Sequence, residues 1–177
     1  MIKTVNIKMD VIESMLYFWQ ATNDREKVGE NYIYSIADRE EMISLYDEDF
    51  TRESVRLVLS AISNREILNS KCKKERKFWN NNMWMMEDLE YTDMMVKPLK
   101  VLNVDDAIET LSGLDTAYDT LEVHFVPGLN EEYKIIDNKI FINFFRVKPD
   151  LYVEDKVTVG EILLKDYVIE KLEEAIK

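Results

Sequence analysis

The chain is poor in the residues that most metal and nucleotide chemistry requires. It has one histidine, His124, and one cysteine, Cys72. A single histidine excludes HExxH zinc sites and other paired-histidine sites. A single cysteine excludes an internal disulfide, a zinc ribbon and CxxC redox chemistry. The four glycines, at 29, 113, 128 and 160, stand alone. That leaves no Walker loop, no GxGxxG dinucleotide fingerprint and no GxSxG elbow. Long apolar runs are also missing. The opening "MIKTVNIKMDVIESM" has none of signal-peptide length, and nowhere do 18 apolar residues follow one another, so no membrane-spanning helix is expected. With its lone thiol, the chain reads as cytoplasmic.

Positive charge is scarce as well. Lys and Arg number 23 against 35 Asp and Glu, for a net charge of −12. Such a field opposes nucleic-acid binding, which depends on neutralising phosphates, and opposes docking on anionic membranes. Neither partner is expected, and neither is a cofactor or a structural metal. The run "KCKKERK" before Trp79 carries five basic residues, yet it reads as a solvated helix face.

What is present is enough for a packed globule. The 177 residues are 46% hydrophobic, and a chain of this length buries roughly 70% of its unfolded surface without a staple. A single domain over 1–177 is expected. Hydrophobic periodicity divides the chain. Val5 and Ile7 alternate within 2–8 as a short strand. Ile12, Met15, Leu16 and Trp19 recur at helical spacing. A second helix is expected over about 38–46. Val55, Val58, Leu59 and Ile62 mark a third, which Thr51 can cap. Another runs through 74–90, and Pro98 is expected to interrupt the chain after "MMVK". Asn103 and Gly113 bracket a short helix. Near residue 120 the period changes to two. "LEVHFVP" and a hairpin turning at Asp137-Asn138 give three strands within 121–145, read as antiparallel. The second hairpin strand is apolar on both faces, which places it centrally. "VKPDLYVEDKV" reads as a loop, "VTVGEILL" as a strand pair about Gly160 or a helix start, and the last residues as a helix. The fold class is therefore α+β: a helical N-terminal two-thirds, a small antiparallel sheet and a C-terminal helix.

The segment "KFWNNNMWMMEDLEY" concentrates the candidate chemistry. As a helix it places Phe78, Asn82, Met85, Met86 and Leu89 on one stripe, flanked by Trp79 and Met83. Trp84 falls outside the stripe, beside Asn80 and Asp88. The blander reading is a core helix whose Asn82 hydrogen-bonds nearby backbone, with Trp79 and Asn82 mostly buried and Trp84 under a second layer. The functional reading is a pocket with adaptable Trp and Met walls and orienting amides. Its candidate ligand-binding residues are Trp79, Asn82, Met83, Trp84 and Met86, joined by His124 and Asn143 if strand register brings them to a common cavity. A protein-binding patch or a homodimer contact is the further alternative. Two metal-like patterns fail. "DEDFTRESVRLV" has Arg52 where a calcium loop needs Gly and Val58 where it needs Glu. Glu87, Glu90 and Asp93 share a helical spacing, but such faces are commonplace in an acidic chain. The expected function is a non-enzymatic protein that binds a small apolar ligand or a protein partner. The alternative is a small hydrolase or transferase using Glu122 and His124 as acid-base groups.

Overall fold

The computed structural model describes residues 1–177. The chain divides into two compact units, Asp10–Asp93 and Met1–Met9 with Met94–Lys177. The first is wholly helical and lies, in sequence, between the first strand of the second unit and the rest of it.

The helical unit holds α1 (Asp10–Asn23), α2 (Glu30–Ala37), α3 (Arg52–Asn64) and α4 (Lys73–Glu87), and a 3-10 helix covers Glu40–Leu45. The second helix begins eight residues earlier than periodicity indicated and ends at Ala37, where Tyr46 Oη donates to the Ala37 carbonyl. The stretch 38–46 could not be α-helix throughout, because Arg39 and Tyr46 are extended (ψ 140° and 139°). Thr51 does precede α3, its backbone N–H bonded by Ser54 Oγ. α2 packs on α3, α3 on α4, and α4 on α1. Their apolar stripes meet in a core of Ile12, Met15, Phe18, Trp19, Ile33, Ile36, Val55, Val58 and Leu59, with Phe78 edge-on to Phe50 at 5.3 Å.

α4 stops at Glu87, earlier than the expected 90. Asp88 leaves helical geometry (φ −137°, ψ 80°), and its carboxylate accepts the Tyr91 N–H. It thereby begins a new helix, α5 (Leu89–Val101). Thr92 Oγ1 bonds the carbonyls of Met85 and Asp88. The break also separates Glu87 from Glu90 and Asp93, and no three His, Cys, Asp or Glu side chains converge as a metal site. Pro98 does not interrupt α5 but lies inside it. A proline inside a helix removes one ladder bond and crowds the carbonyl four residues back, and burial of Met95, Val96 and Leu99 holds the helix around it.

The second unit contains α6 (Ile108–Ser112), two sheets and α7 (Leu164–Ile176). The larger sheet has β1 (Thr4–Lys8), β2 (Thr120–Val126), β3 (Tyr133–Ile136) and β4 (Lys139–Asn143) in the order β1-β2-β4-β3. The three strands expected in 121–145 are present, but only β3–β4 pair antiparallel, through a turn where Asp137 takes φ 54°. β1–β2 and β2–β4 are parallel. Period two reports which face a side chain takes and nothing about strand direction. Direction follows from the connections, and β1 reaches β2 through a long crossover of the kind parallel pairs need. β4 is central and buried on both faces, as its apolar run implied. The smaller sheet joins β5 (Val147–Pro149), β6 (Val157–Val159) and β7 (Ile162–Leu163), all antiparallel, with Gly160 at φ 63° in the turn. α7 packs on β4, β6 and β7.

Candidate functional site

The expected site residues fall into two groups. Trp79, Asn82, Met83, Trp84 and Met86 lie on α4, whereas His124 and Asn143 belong to the sheet-containing unit.

On α4 the fates differ with the turn of the helix. Asn82 is fully buried, and its amide is consumed by the core. Its Oδ1 accepts the Trp19 indole N–H at 2.9 Å and its Nδ2 donates to the Phe78 carbonyl at 2.8 Å. Asn82 is therefore a packing residue with a local backbone bond. Trp84 is 68% exposed, so no second layer covers it. Its neighbours one turn away, Asn80 and Asp88, are exposed as well. Trp79 is only half-buried, less than the core reading required. The reason is an opening beside it: Trp79, Met83 and Met86, at i, i+4 and i+7, form one wall of a cleft of about 400 Å³.

The opposite wall is made where α1 and α3 end. Both helices close with the same backbone device. Glu26 N–H bonds the Ala21 carbonyl at 2.9 Å, and Glu66 N–H bonds the Ala61 carbonyl at 2.9 Å. In each, the preceding arginine adopts the left-handed region, Arg25 at φ 64° and Arg65 at φ 56°. Glycine normally occupies that position, because a side chain there costs roughly 1 kcal/mol or more. Arg25, Arg65, Glu66 and Glu87 all line the cleft with Ile62. Asn23 Nδ2 donates to the Met86 carbonyl at 2.7 Å, and Arg65 Nη2 reaches the Thr22 carbonyl at 3.4 Å, which ties the three helix ends together. Neither Arg25 nor Arg65 forms an ion pair with a carboxylate.

Sequence reading missed both arginines. A signal existed: Ala21-Thr22-Asn23-Asp24-Arg25-Glu26 and Ala61-Ile62-Ser63-Asn64-Arg65-Glu66 share Ala, Asx, Arg and Glu at matching positions. It was weak, since Asp38-Arg39-Glu40 repeats the last three residues while Arg39 sits at φ −61°.

In the other unit, His124 and Asn143 do project from one sheet face, set by the pairing of His124 with Phe141 and Val126 with Asn143. Each is committed to a neighbour. His124 Nε2 lies 2.8 Å from Glu122 Oε2, and its ring stacks on Phe141 at 5.2 Å. Glu122 Oε1 also accepts from Lys8 Nζ at 3.3 Å, bridging β2 to β1. Burial acts to raise the Glu122 pKa, but the bonds from His124 and Lys8 and the lysine's charge outweigh it and hold the carboxyl below its ordinary value. An imidazole hydrogen-bonded to a carboxylate is a unit that can move a proton. Here it is 4% exposed, which leaves a substrate little access. Asn143 Oδ1 accepts the Phe145 N–H at 3.0 Å and its Nδ2 donates to the Leu129 carbonyl at 3.4 Å, securing the turn after β4.

No family model matches the chain, and no curated protein or solved structure does. The site therefore rests on its own geometry.

Proposed function

We propose that the chain is a binding protein for a small amphipathic molecule, one with an apolar or aromatic body and a single anionic group. The observation that carries this is the pairing, in one cleft, of an apolar wall with two guanidinium groups that have no carboxylate partner. A volume of about 400 Å³ suits a small ligand. The indole of Trp79 offers a rigid flat surface, and the thioethers of Met83 and Met86 adapt to an irregular body. Arginine presents planar paired donors suited to a carboxylate, phosphate or sulfonate. Arg25 and Arg65 stand on helix ends fixed by hydrogen bonds, so little backbone entropy remains to be lost on binding. Glu66 and Glu87 share the lining. Their charge disfavours a second negative group on the ligand, hence a monoanion.

The test uses 1-anilinonaphthalene-8-sulfonate, an aromatic monoanion, as probe. Its fluorescence should rise to saturation at one site per chain. Met83→Glu should abolish that site, and Arg25→Gln with Arg65→Gln should weaken it, with circular dichroism unchanged in each. A signal that does not saturate, or that survives both changes, overturns the proposal.

A second reading has one observation of its own. Trp84 lies open on the outer side of α4, and tryptophan is enriched among residues that dominate protein interfaces. Trp84→Ala would then weaken association with a protein partner and leave probe binding unchanged.

A further inference from the structure

The cleft beside Trp79 holds charges of both signs. Arg25 and Arg65 line it, and so do Glu66 and Glu87. None of the four is neutralised: the two carboxylates join no ion pair, just as the two guanidinium groups join none. All four side chains are open to solvent. Three helices end at this cleft, and their ends differ. α1 and α3 are each followed by an arginine in the left-handed region, Arg25 and Arg65. α4 ends on Glu87 and is followed by Asp88, with no basic residue in its last turn. The C-terminus of a helix carries partial negative charge and favours a cation. α4 puts a carboxylate there instead, so its end has negative charge and no cation of its own. Glu66 adds a second carboxylate from beyond the end of α3.

We propose that the ligand of this cleft is a zwitterion, an amino acid with a large apolar or aromatic side chain. The inference rests on the amphipathic-ligand reading of the same cleft and narrows it. The ligand's carboxylate faces Arg25 and Arg65, whose planar donors suit it. Its ammonium, with three donors and no acceptor, faces Glu87 and Glu66. Its side chain lies against Trp79 and Met83. A simple anion would satisfy the arginines but meet two carboxylates that repel it. A simple cation would satisfy the carboxylates but meet two guanidinium groups. A ligand with one charge of each sign opposes neither pair. The charged lining amounts to two positive and two negative groups, so a net-neutral ligand leaves that balance as it is.

Displacement of 1-anilinonaphthalene-8-sulfonate from the whole chain tests it, with three competitors that share an indole body. L-Tryptophan carries both charges, indole-3-propionate lacks the ammonium and tryptamine lacks the carboxylate. Tryptophan should compete about tenfold better than either, the order expected of one charge-assisted contact. Glu66→Gln with Glu87→Gln should erase its advantage over indole-3-propionate. The same double change should tighten binding of the probe, which is rid of two repelling carboxylates and has no ammonium to lose; damage to the fold would weaken both ligands together. Indole-3-propionate competing as well as tryptophan overturns this inference alone and leaves the ligand a simple anion. A tryptophan advantage that survives the double change overturns it too, because the ammonium then lies elsewhere. A probe that finds no saturable site overturns the amphipathic-ligand reading, and the zwitterion with it.

Discussion

Only one of the two units buries ionisable side chains. In the helical unit the buried polar side chains are neutral. Asn82 bonds Trp19 and the Phe78 carbonyl, Thr22 bonds the Phe18 carbonyl, and Ser63 joins the Val28 backbone. In the sheet-containing unit Asn143 is neutral too, but His124 and Lys171 are ionisable. His124 is hydrogen-bonded to Glu122, which also accepts from Lys8. Lys171 is buried on α7 with its ammonium 4.1 Å from the Tyr133 ring centroid and 3.1 Å from Glu170. A buried neutral group needs only a partner, whereas a buried charge needs a partner and compensation for lost hydration. Helices place i−4 carbonyls within reach of an Asn or Thr, so they can bury amides and hydroxyls cheaply. A sheet spaces its side chains at i and i+2 on one face, which suits a carboxylate beside an imidazole, as at Glu122 and His124.

Single substitutions put the contrast to the test. The largest effect is expected at Trp19, fully buried in the helical core. Trp19→Ala should cost about 3–5 kcal/mol in urea unfolding; a loss under ~1 kcal/mol would mean the Trp19–Asn82 pair is not what organises that core. Asn82→Ala comes next, at roughly 2–3 kcal/mol, because it opens space and orphans the Trp19 indole N–H. Its effect should be the same at pH 6 and pH 8, since neither partner titrates there.

Glu122→Gln should cost about 1 kcal/mol near neutrality, as charged hydrogen bonds become neutral ones. It should also reshape the acid limb. The folded pKa of Glu122 is depressed, so its contribution is complete above its unfolded pKa and is lost as pH falls through the folded value. The helical unit has one counterpart, at its surface: the hydrogen bond from Lys74 holds Asp47 at about 2, with the Asp49 and Phe50 N–H groups assisting against partial burial. Asp47 likewise stabilises above its unfolded pKa, and that share fades toward pH 2. Midpoints measured between pH 7 and pH 2 should fall less steeply for Glu122→Gln and for Asp47→Asn than for the wild type. Parallel curves for all three would refute both assignments. The smallest effect is expected at Trp84, where an exposed side chain makes Trp84→Ala a change of less than ~0.5 kcal/mol. A larger loss of stability would show that Trp84 is covered after all.

The same contrast explains how much of the fold the sequence betrays. α3 and α7 were legible because each buries a regular stripe. The hairpin at Asp137-Asn138 was legible because those residues tolerate the positive φ that Asp137 adopts. Asn82 was anticipated as buried and backbone-bonded from its place on the stripe. Its partner Trp19 was not, since 63 residues separate them. Parallel pairing of β1, β2 and β4 was invisible, because alternation carries no direction. Exposure of Trp84 depended on which neighbours failed to cover it. Arg25 and Arg65 were hidden for a different reason: a non-glycine residue in the left-handed region is chosen by the chain reversal around it, not by its own preference.

The placing of β1 has a consequence for the order of events in folding. Thr4 and Thr120 meet side by side, hydroxyl to hydroxyl at 2.9 Å, although 116 positions separate them. On a growing chain, β1 emerges first and must wait for its neighbour until the ribosome has delivered residue 126. The whole helical segment is finished before then. In refolding, bringing those strands together from a flexible chain costs roughly 4 kcal/mol of loop entropy. Prior folding of Asp10–Asp93 shortens the loop that must be closed. The helices should therefore gain protection from hydrogen exchange before the strands do, with β1 among the last segments to become protected.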